Sequence, residues 1–423
     1  MDADTDRSDH DAIRSDVEAW LEASWDPDLT VREWWTRLAE AGWGFPSWPH
    51  EWFGRGLRAE AQGAVREAFL ARSALGPPAS LGQLLGGPVL LTHGSTELRR
   101  RFLPVLVKGE ESWCQFFSEP GAGSDLAGLQ TRAVRDGDEW VVDGQKVWTS
   151  GAQFADRGML VARTDPDVPK HSGLTYFIID LDQPGVEIRP LHQMNGAEGF
   201  NEVFFSGARV GADRVVGEVG GGWAVAVTTL MFERFMNAIP SATPGVKAGM
   251  LEVRAGDVVS GRVEGERESM GGARLAPNVI EVARSLEREA DPLLRQRLAQ
   301  LAATEEVGRL MGLRSAAAVR TGKRPGAEGS VRKIARSEVA RTASAVGMET
   351  LGAHGLVVGK DTPSRGRLQH QALSSPGTSI AGGTDEIQRN IIAERVLGLP
   401  KEPRLDVDVP FRQLRVGTQR EEG

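Results

Sequence analysis

The chain has 423 residues, 40% of them hydrophobic, enough to bury a sizeable core and to fill two or three domains. Its formal charge of -8 and pI near 5.6 argue against nucleic acid or an anionic membrane as a general partner. A single cysteine, Cys114, excludes an internal disulfide framework and suits a reducing cytoplasm, and the scattered histidines (10, 50, 93, 171, 192, 354 and 370) offer no metal-ligand spacing. The acidic start, Met1-Asp2-Ala3-Asp4, lacks the layout of a signal peptide, and no apolar run is long enough to span a bilayer, so an intracellular, cytoplasmic location is expected.

Residues 1–112 read as an N-terminal helical domain. Ile13, Val17, Trp20 and Leu21 recur at helical spacing, as do Val31, Trp34, Trp35 and Leu38. Leu98, Phe102, Leu103 and Leu106 continue the pattern behind Ser95, an N-cap candidate. Seven of the eleven tryptophans precede residue 53, gathered around Gly42-Trp43-Gly44-Phe45-Pro46-Ser47-Trp48-Pro49. Aromatic packing under a proline-stiffened loop is the favoured reading there, with substrate lining as the alternative.

From Trp113 to about Gly220 the period changes to two, giving a middle β domain over 113–220. Thr131–Val134 and Glu139–Val142 flank Asp136-Gly137, a hairpin signal, and Met159–Ala162, Leu174–Ile179 and Asn201–Phe205 read as further strands. Two loops stand out in this domain. Ser118-Glu119-Pro120-Gly121-Ala122-Gly123-Ser124-Asp125 combines a rigid proline, glycines and short oxygen-bearing side chains, a cradle for a polar, phosphorylated ligand. Gly144-Gln145-Lys146-Val147-Trp148-Thr149-Ser150-Gly151 ends a strand whose alternation would send Trp148 and Ser150 to one face, to cover a planar ring and donate a hydrogen bond to it. Together they point to a flavin; taken singly, the first is a plain surface turn more often than a cradle, and the second is more often core.

Helical signals return after Gly220-Gly221-Gly222, over Trp223–Met236, Val279–Ala290, Leu293–Arg320, Ser330–Leu351 and Thr384–Leu397, a C-terminal helical region spanning 221–400. Ser241 to Pro277 is rich in Gly, Arg and Glu and reads as a mobile connection; residues 401–423 read as a loose arm. Near the end stands a third motif, Ile380-Ala381-Gly382-Gly383-Thr384-Asp385-Glu386-Ile387-Gln388-Arg389-Asn390, whose Gly-Gly-Thr opens a helix and suits an anionic phosphate, an ordinary threonine N-cap being the alternative.

These three motifs, in this order, resemble the acyl-CoA dehydrogenases, and the resemblance runs from about Trp34 to Pro400. It implies an α+β fold of three domains: N-terminal helices, a middle β-barrel or sandwich, and a C-terminal four-helix bundle. It also implies noncovalent FAD. By resemblance, Gln115 and Phe117 line the ring, Ser118 bonds its pyrimidine edge, and Gly123 and Ser124 sit by the pyrophosphate. Trp148 covers the isoalloxazine and Ser150 bonds N5. Thr384 and Glu386 map onto positions that contact the adenosine half. Two departures accompany this. Ser241 to Pro277 carries no clear version of the family's Arg-then-Phe pair, and the family's Gln-bearing helix with a Gly-Gly-x-Gly end becomes Glu349-Thr350-Leu351-Gly352-Ala353-His354-Gly355, so the cross-subunit part of the site, at Glu349 and Ala353, is altered. Arg309, Arg314, Arg320, Lys323 and Arg324 could meet a phosphate, though such a run is usually a solvated face.

The activity implied is α,β-dehydrogenation of an acyl-CoA thioester, with electrons passed to an electron-transfer flavoprotein and a homo- or hetero-tetrameric assembly. An oxidase, or a weakly active partner subunit of a mixed oligomer, is the alternative. Many family members place the catalytic base before the Gly-Thr of the third motif, where this chain has Gly382; a second group uses a Glu-Arg pair on the first C-terminal helix, matched by Met231-Phe232-Glu233-Arg234. Glu233 is therefore the expected base, a structural charge pair being the plain alternative.

Overall fold

The computed structural model describes residues 3–58, 61–236, 250–261, 274–320, 327, 329–403 and 406–415. Five helices come first: α1 (Ala3–Ser24), α2 (Val31–Ala41), α3 (Ala61–Ala71), α4 (Gly87–His93) and α5 (Thr96–Val107). Seven strands follow: β1 (Trp113–Phe116), β2 (Arg132–Asp136), β3 (Glu139–Ser150), β4 (Arg157–Arg163), β5 (Leu174–Asp180), β6 (Val186–Leu191) and β7 (Phe200–Gly211). The remainder is helical again: α6 (Gly222–Met236), α7 (Ala255–Val259), α8 (Leu275–Ser285), α9 (Pro292–Arg320), α10 (Gly329–Leu351), α11 (Arg367–Ile380) and α12 (Asp385–Ile391). No helix of the described residues is long and apolar enough to cross a membrane.

Local chemistry sets the helix starts. Thr30 opens α2 with a capping box, its hydroxyl accepting from the Glu33 N–H while the Glu33 carboxylate accepts from the Thr30 N–H. Ser95 caps α5 as expected, accepting from the Leu98 N–H at 3.2 Å.

The sheet runs β1-β4-β2-β3-β7-β6, with β5 also paired to β4. β4 and β5 read as unbroken apolar runs because both faces are covered: their residues are almost all buried. One face joins Trp113, Phe117, Met159, Tyr176 and Ile178 to Leu85, Val89 and Leu103 of the N-terminal helices and to Val225 of α6. The other face gathers Cys114, Phe116, Trp140, Leu160, Phe177 and Phe205. Trp48 lies in the first cluster, stacked on Phe45 with ring centroids 4.5 Å apart, which is the packing role favoured for the tryptophan-rich loop.

Two compact units emerge. The first comprises Met1–Leu191, Glu198–Glu268 and Arg404–Gly423; the second His192–Ala197 and Ser269–Pro403. In the second, α8, α9, α10 and α11 enclose a core of Val279, Leu294, Leu301, Ala343, Val346 and Leu368. The expected mobile connection from Ser241 to Pro277 lies largely outside the described residues, as do Lys323, Arg324 and the side chain of Arg320.

The tail differs from the loose arm expected after Pro400. Phe411 is only 9% exposed, its N–H donating to Val168 O at 2.9 Å, and the Arg163 guanidinium lies 3.3 Å from its ring centroid. Arg412 donates its N–H to Pro166 O at 3.0 Å and pairs with Asp167, while Lys170 Nζ meets Asp406 at 2.7 Å. One buried aromatic with a desolvated cation over it anchors a segment that composition alone reads as free.

Candidate active site

The two glycine-containing loops are welded together by a buried ion pair. Lys146 is fully buried on β3, and its ammonium donates to Phe117 O at 3.0 Å and to Glu119 Oε1 at 2.9 Å. Glu119 also accepts from the backbone N–H of Gln130 at 2.6 Å and of Thr131 at 2.9 Å, so both its oxygens are satisfied. Burial opposes ionisation of this carboxyl, but the Lys146 charge and the N–H donors outweigh it and hold Glu119 below the usual glutamate range. A further strap comes from the Val147 N–H, which donates to Ser118 O at 2.9 Å. Within the first loop, Glu119 and Ala122 exchange backbone hydrogen bonds of 2.9 and 3.1 Å. Sequence reasoning missed this pair. Two opposite charges, one in each loop motif, were the available signal.

Alternation fails where the second loop was expected to use it. Between Lys146 and Thr149 the β3–β7 register shifts, and Trp148 takes φ of +60°, a left-handed backbone that a bulky residue rarely adopts. The bulge reverses the side-chain order: Lys146 points into the core while Trp148 is 60% exposed. Among the described residues its ring meets one aromatic neighbour, Phe200, edge-on at 5.9 Å. Ser150, paired with Phe200, is half-buried. Between them Thr149 is buried opposite Asn201; Thr149 Oγ1 and Asn201 Oδ1 have no hydrogen-bond partner among the described residues. A bare indole on a strained bulge, beside unspent hydrogen-bonding capacity, fits a planar, polar-edged group such as a flavin.

The other first-unit residues lie along the same path. Gln115 sits on β1 opposite Met159, Phe117 is buried with its ring edge-on to Tyr176 at 6.0 Å, and Ser118 is half-buried. Gly123 and Ser124 are exposed at the far end of the loop, and a Cβ on Gly123 would meet nothing within 4 Å. Glu233 is half-buried on α6, next to Phe232, which packs on the apolar cluster holding Phe117 and Tyr176. The side chain of Arg234, its expected partner, is outside the described residues.

The second unit carries the remaining four. Thr384 caps α12, its hydroxyl accepting from the Ile387 N–H at 3.2 Å. Gly382 and Gly383 take φ of +66° and +84°, and Gln388 Nε2 donates to Gly382 O at 2.9 Å. Asp385 is buried against Lys333 at 2.8 Å and Arg341 at 2.7 Å. Glu386 is exposed and pairs with Arg389 at 3.3 Å. Glu349 pairs with Arg297, and Ala353 is exposed just past the end of α10. Since Arg341 meets Asp385 and Glu349 lies eight residues on, about 12 Å farther along α10, these two pairs of residues do not form one cluster within the unit.

Comparison with known proteins supplies the frame. Three family models match in sequence order: the acyl-CoA dehydrogenase N-terminal domain over residues 7–110, the middle domain over 114–208 and the C-terminal domain over 258–397. Acyl-CoA dehydrogenase IpdE1 of Mycobacterium tuberculosis is 39% identical over 377 residues, covering 88% of this chain and 89% of the relative. Acyl-CoA dehydrogenase FadE34 of the same organism is 37% identical over 364 residues, covering 86% of this chain and 46% of its own. Among solved structures, the Tcur3481-Tcur3483 steroid ACAD aligns with a TM-score of 0.68 at 28% identity, over 93% of this chain and 98% of that one. The ChsE4-ChsE5 complex from Mycobacterium tuberculosis aligns with a TM-score of 0.67 at 29% identity, again over 93% and 98%.

Proposed function

The chain belongs to the acyl-CoA dehydrogenase family, FAD-dependent flavoproteins, and on that premise we propose that it oxidises a bulky, fused-ring acyl-CoA thioester to its trans-2-enoyl form with Glu233 as the base. The observation that carries the reading is Trp148, its indole held bare at positive φ on a strand that Lys146 ties to the 118–125 loop. FAD, when bound, supplies the hydride acceptor for the substrate's β-carbon. Trp148 covers apolar ring area, Ser118 and Ser150 offer hydrogen bonds to polar edges, and Gln115 and Phe117 close the wall between them. Gly123 and Ser124 give the pyrophosphate an unobstructed approach; Thr384, Glu386, Glu349 and Ala353 are proposed for the adenosine half and the cross-subunit edge.

Glu233 takes the proton α to the thioester carbonyl. Its place on α6 beside Phe232 and Leu230, which pack on the apolar cluster, suits a carboxylate working next to an acyl chain. Gly382, at the position where many relatives carry the base, has no side chain to accept a proton. The fused-ring substrate class rests on the steroid ACAD neighbour, and electrons are proposed to pass to an electron-transfer flavoprotein. The pairing of two different proteins in the Tcur3481-Tcur3483 and ChsE4-ChsE5 neighbours favours a mixed oligomer, and the altered Glu349–Gly355 stretch favours, as the second reading, a chain that completes its FAD site only with a sister subunit.

One experiment separates these. The full-length chain is purified alone, its visible spectrum recorded with and without excess FAD, and an anaerobic titration run with a steroid-side-chain thioester and a straight-chain one. About one FAD per site, bleached by the fused-ring thioester first, is expected. A colourless protein that takes up no FAD ends the catalytic reading for the chain on its own; bleaching by the straight chain alone ends the substrate assignment.

A further inference from the structure

Beside the 118–125 loop lies a cleft of ≈310 Å³, within the range of about 300–1,000 Å³ usual for small-ligand sites. Its walls come from four places in the first unit: Ser124 to Leu126, Lys170 with His171, Trp223 at the start of α6, and Asp406 with Val407 of the tail. The tail lies beyond the last family match, which ends at residue 397. Yet it supplies a charged wall to a cleft that adjoins the proposed pyrophosphate loop and the helix carrying Glu233.

The charges in that wall are unbalanced. Lys170, with a side chain 12% exposed, sits between two carboxylates: Asp125, both oxygens at 3.0 Å, and Asp406 at 2.7 Å. One ammonium thus holds two anions. Asp125 belongs to the loop that Lys146 and Glu119 pin to β3, so it has little freedom to leave. Asp406 is on the terminal stretch, next to Val407, which is 51% exposed. The mooring lies beyond it, at the Pro169–Pro410 bridge, the buried Phe411 under Arg163, and the Arg412–Asp167 pair.

We propose that residues 406–409 are a displaceable strap: Asp406 occupies the Lys170 ammonium until a phosphate group of a coenzyme A thioester takes it over, while Phe411 and Arg412 keep the far end moored. The inference rests on the acyl-CoA reading, which supplies the polyanionic ligand. A phosphate carries more charge and more acceptor oxygens than one carboxylate, so it wins the ammonium once it enters the cleft. The strap then sets a threshold: ligands without phosphates leave it closed.

The test uses the full-length, FAD-loaded protein and two probes, coenzyme A and phosphate-free pantetheine, titrated calorimetrically into the unmodified chain and into Asp406→Asn. Removing a half-exposed competing carboxylate should tighten coenzyme A by about two- to fivefold and leave pantetheine unchanged. In the unmodified protein, coenzyme A should also speed trypsin cleavage after Lys401, on the side of the strap away from its mooring. Equal or weaker coenzyme A affinity in the variant, an equal gain for pantetheine, or a tail protected by coenzyme A overturns the strap while leaving the dehydrogenase reading intact. Failure of both proteins to bind coenzyme A at all overturns both.

Discussion

Trp148 shows what one backbone angle does at the residue scale. At φ of +60° an L-residue is strained by the order of 1–3 kcal/mol, and the bulge that holds it there turns the indole away from the side on which Lys146 is buried. Trp148→Gly would relieve that strain and remove the ring, so Trp148→Ala is the cleaner probe: it keeps the Cβ and removes the cover. Loss of that apolar contact should weaken FAD by about tenfold or more, measured by titrating flavin into apoprotein. An unchanged affinity would move the flavin away from this loop. Ser150→Ala should slow reduction by about tenfold or less through one lost hydrogen bond, followed by stopped-flow bleaching. At Glu233 the test is sharper, because Glu233→Gln keeps shape while removing basicity: FAD should stay bound and bleaching should fall by at least about a hundredfold. Near-normal bleaching across several thioesters would return Glu233 to a structural role.

At the scale of elements, legibility followed how local the cause was. The hairpin at Asp136-Gly137, the apolar strands β4 and β5, the Ser95 cap and the long helices α9 and α10 carry their reasons in their own residues, and all were readable. The segment leading into α4 was not, because its glycines look like a loop; they are there for close packing, a Cβ on Gly86 falling 2.8 Å from the Trp113 ring. Helix α11 was hidden by Pro376 and by polar residues, and β6 by Pro190, tolerable there because β6 ends the sheet order. The Lys146–Glu119 weld joins elements 27 residues apart, and no local pattern encodes that pairing. Its energetics can be checked. Lys146→Met leaves a buried carboxylate without its cation and should cost about 3–5 kcal/mol in urea unfolding of the first unit, with Glu119→Gln in the same chain recovering part of the loss. Additive losses in the double variant would show that the two side chains act independently.

At the scale of the whole molecule, each compact unit contains, among its described residues, one buried carboxylate held ionised by nearby cations: Glu119 by Lys146 in the first, and Asp385 by Lys333 and Arg341 in the second. For Asp385, burial alone would raise the pKa, but the hydrogen bonds from Lys333 and Arg341 prevail and hold it well below the ordinary aspartate range. Both groups therefore have folded-state pKa values depressed below their unfolded ones, from which the sign follows. Their stabilisation is complete above the unfolded values of 4.5 and 3.8 and is lost as pH falls through the lower folded values. Stability should hold through neutral and mildly acidic pH and then drop steeply below about pH 4 in both units. Asp385→Asn removes the acid-sensitive charge of the second unit and strands two cations, so it should lose about 3 kcal/mol at neutral pH and, relative to that lower value, change less on acidification. Glu119→Gln should flatten the first unit's acid response in the same way. Unfolding followed by tryptophan fluorescence isolates the first unit, because every tryptophan of the chain lies in it, and far-ultraviolet circular dichroism adds the helices of the second. If Asp385→Asn altered the acid dependence of the fluorescence transition as strongly as that of the dichroism, the two carboxylates would not be acting each on its own unit.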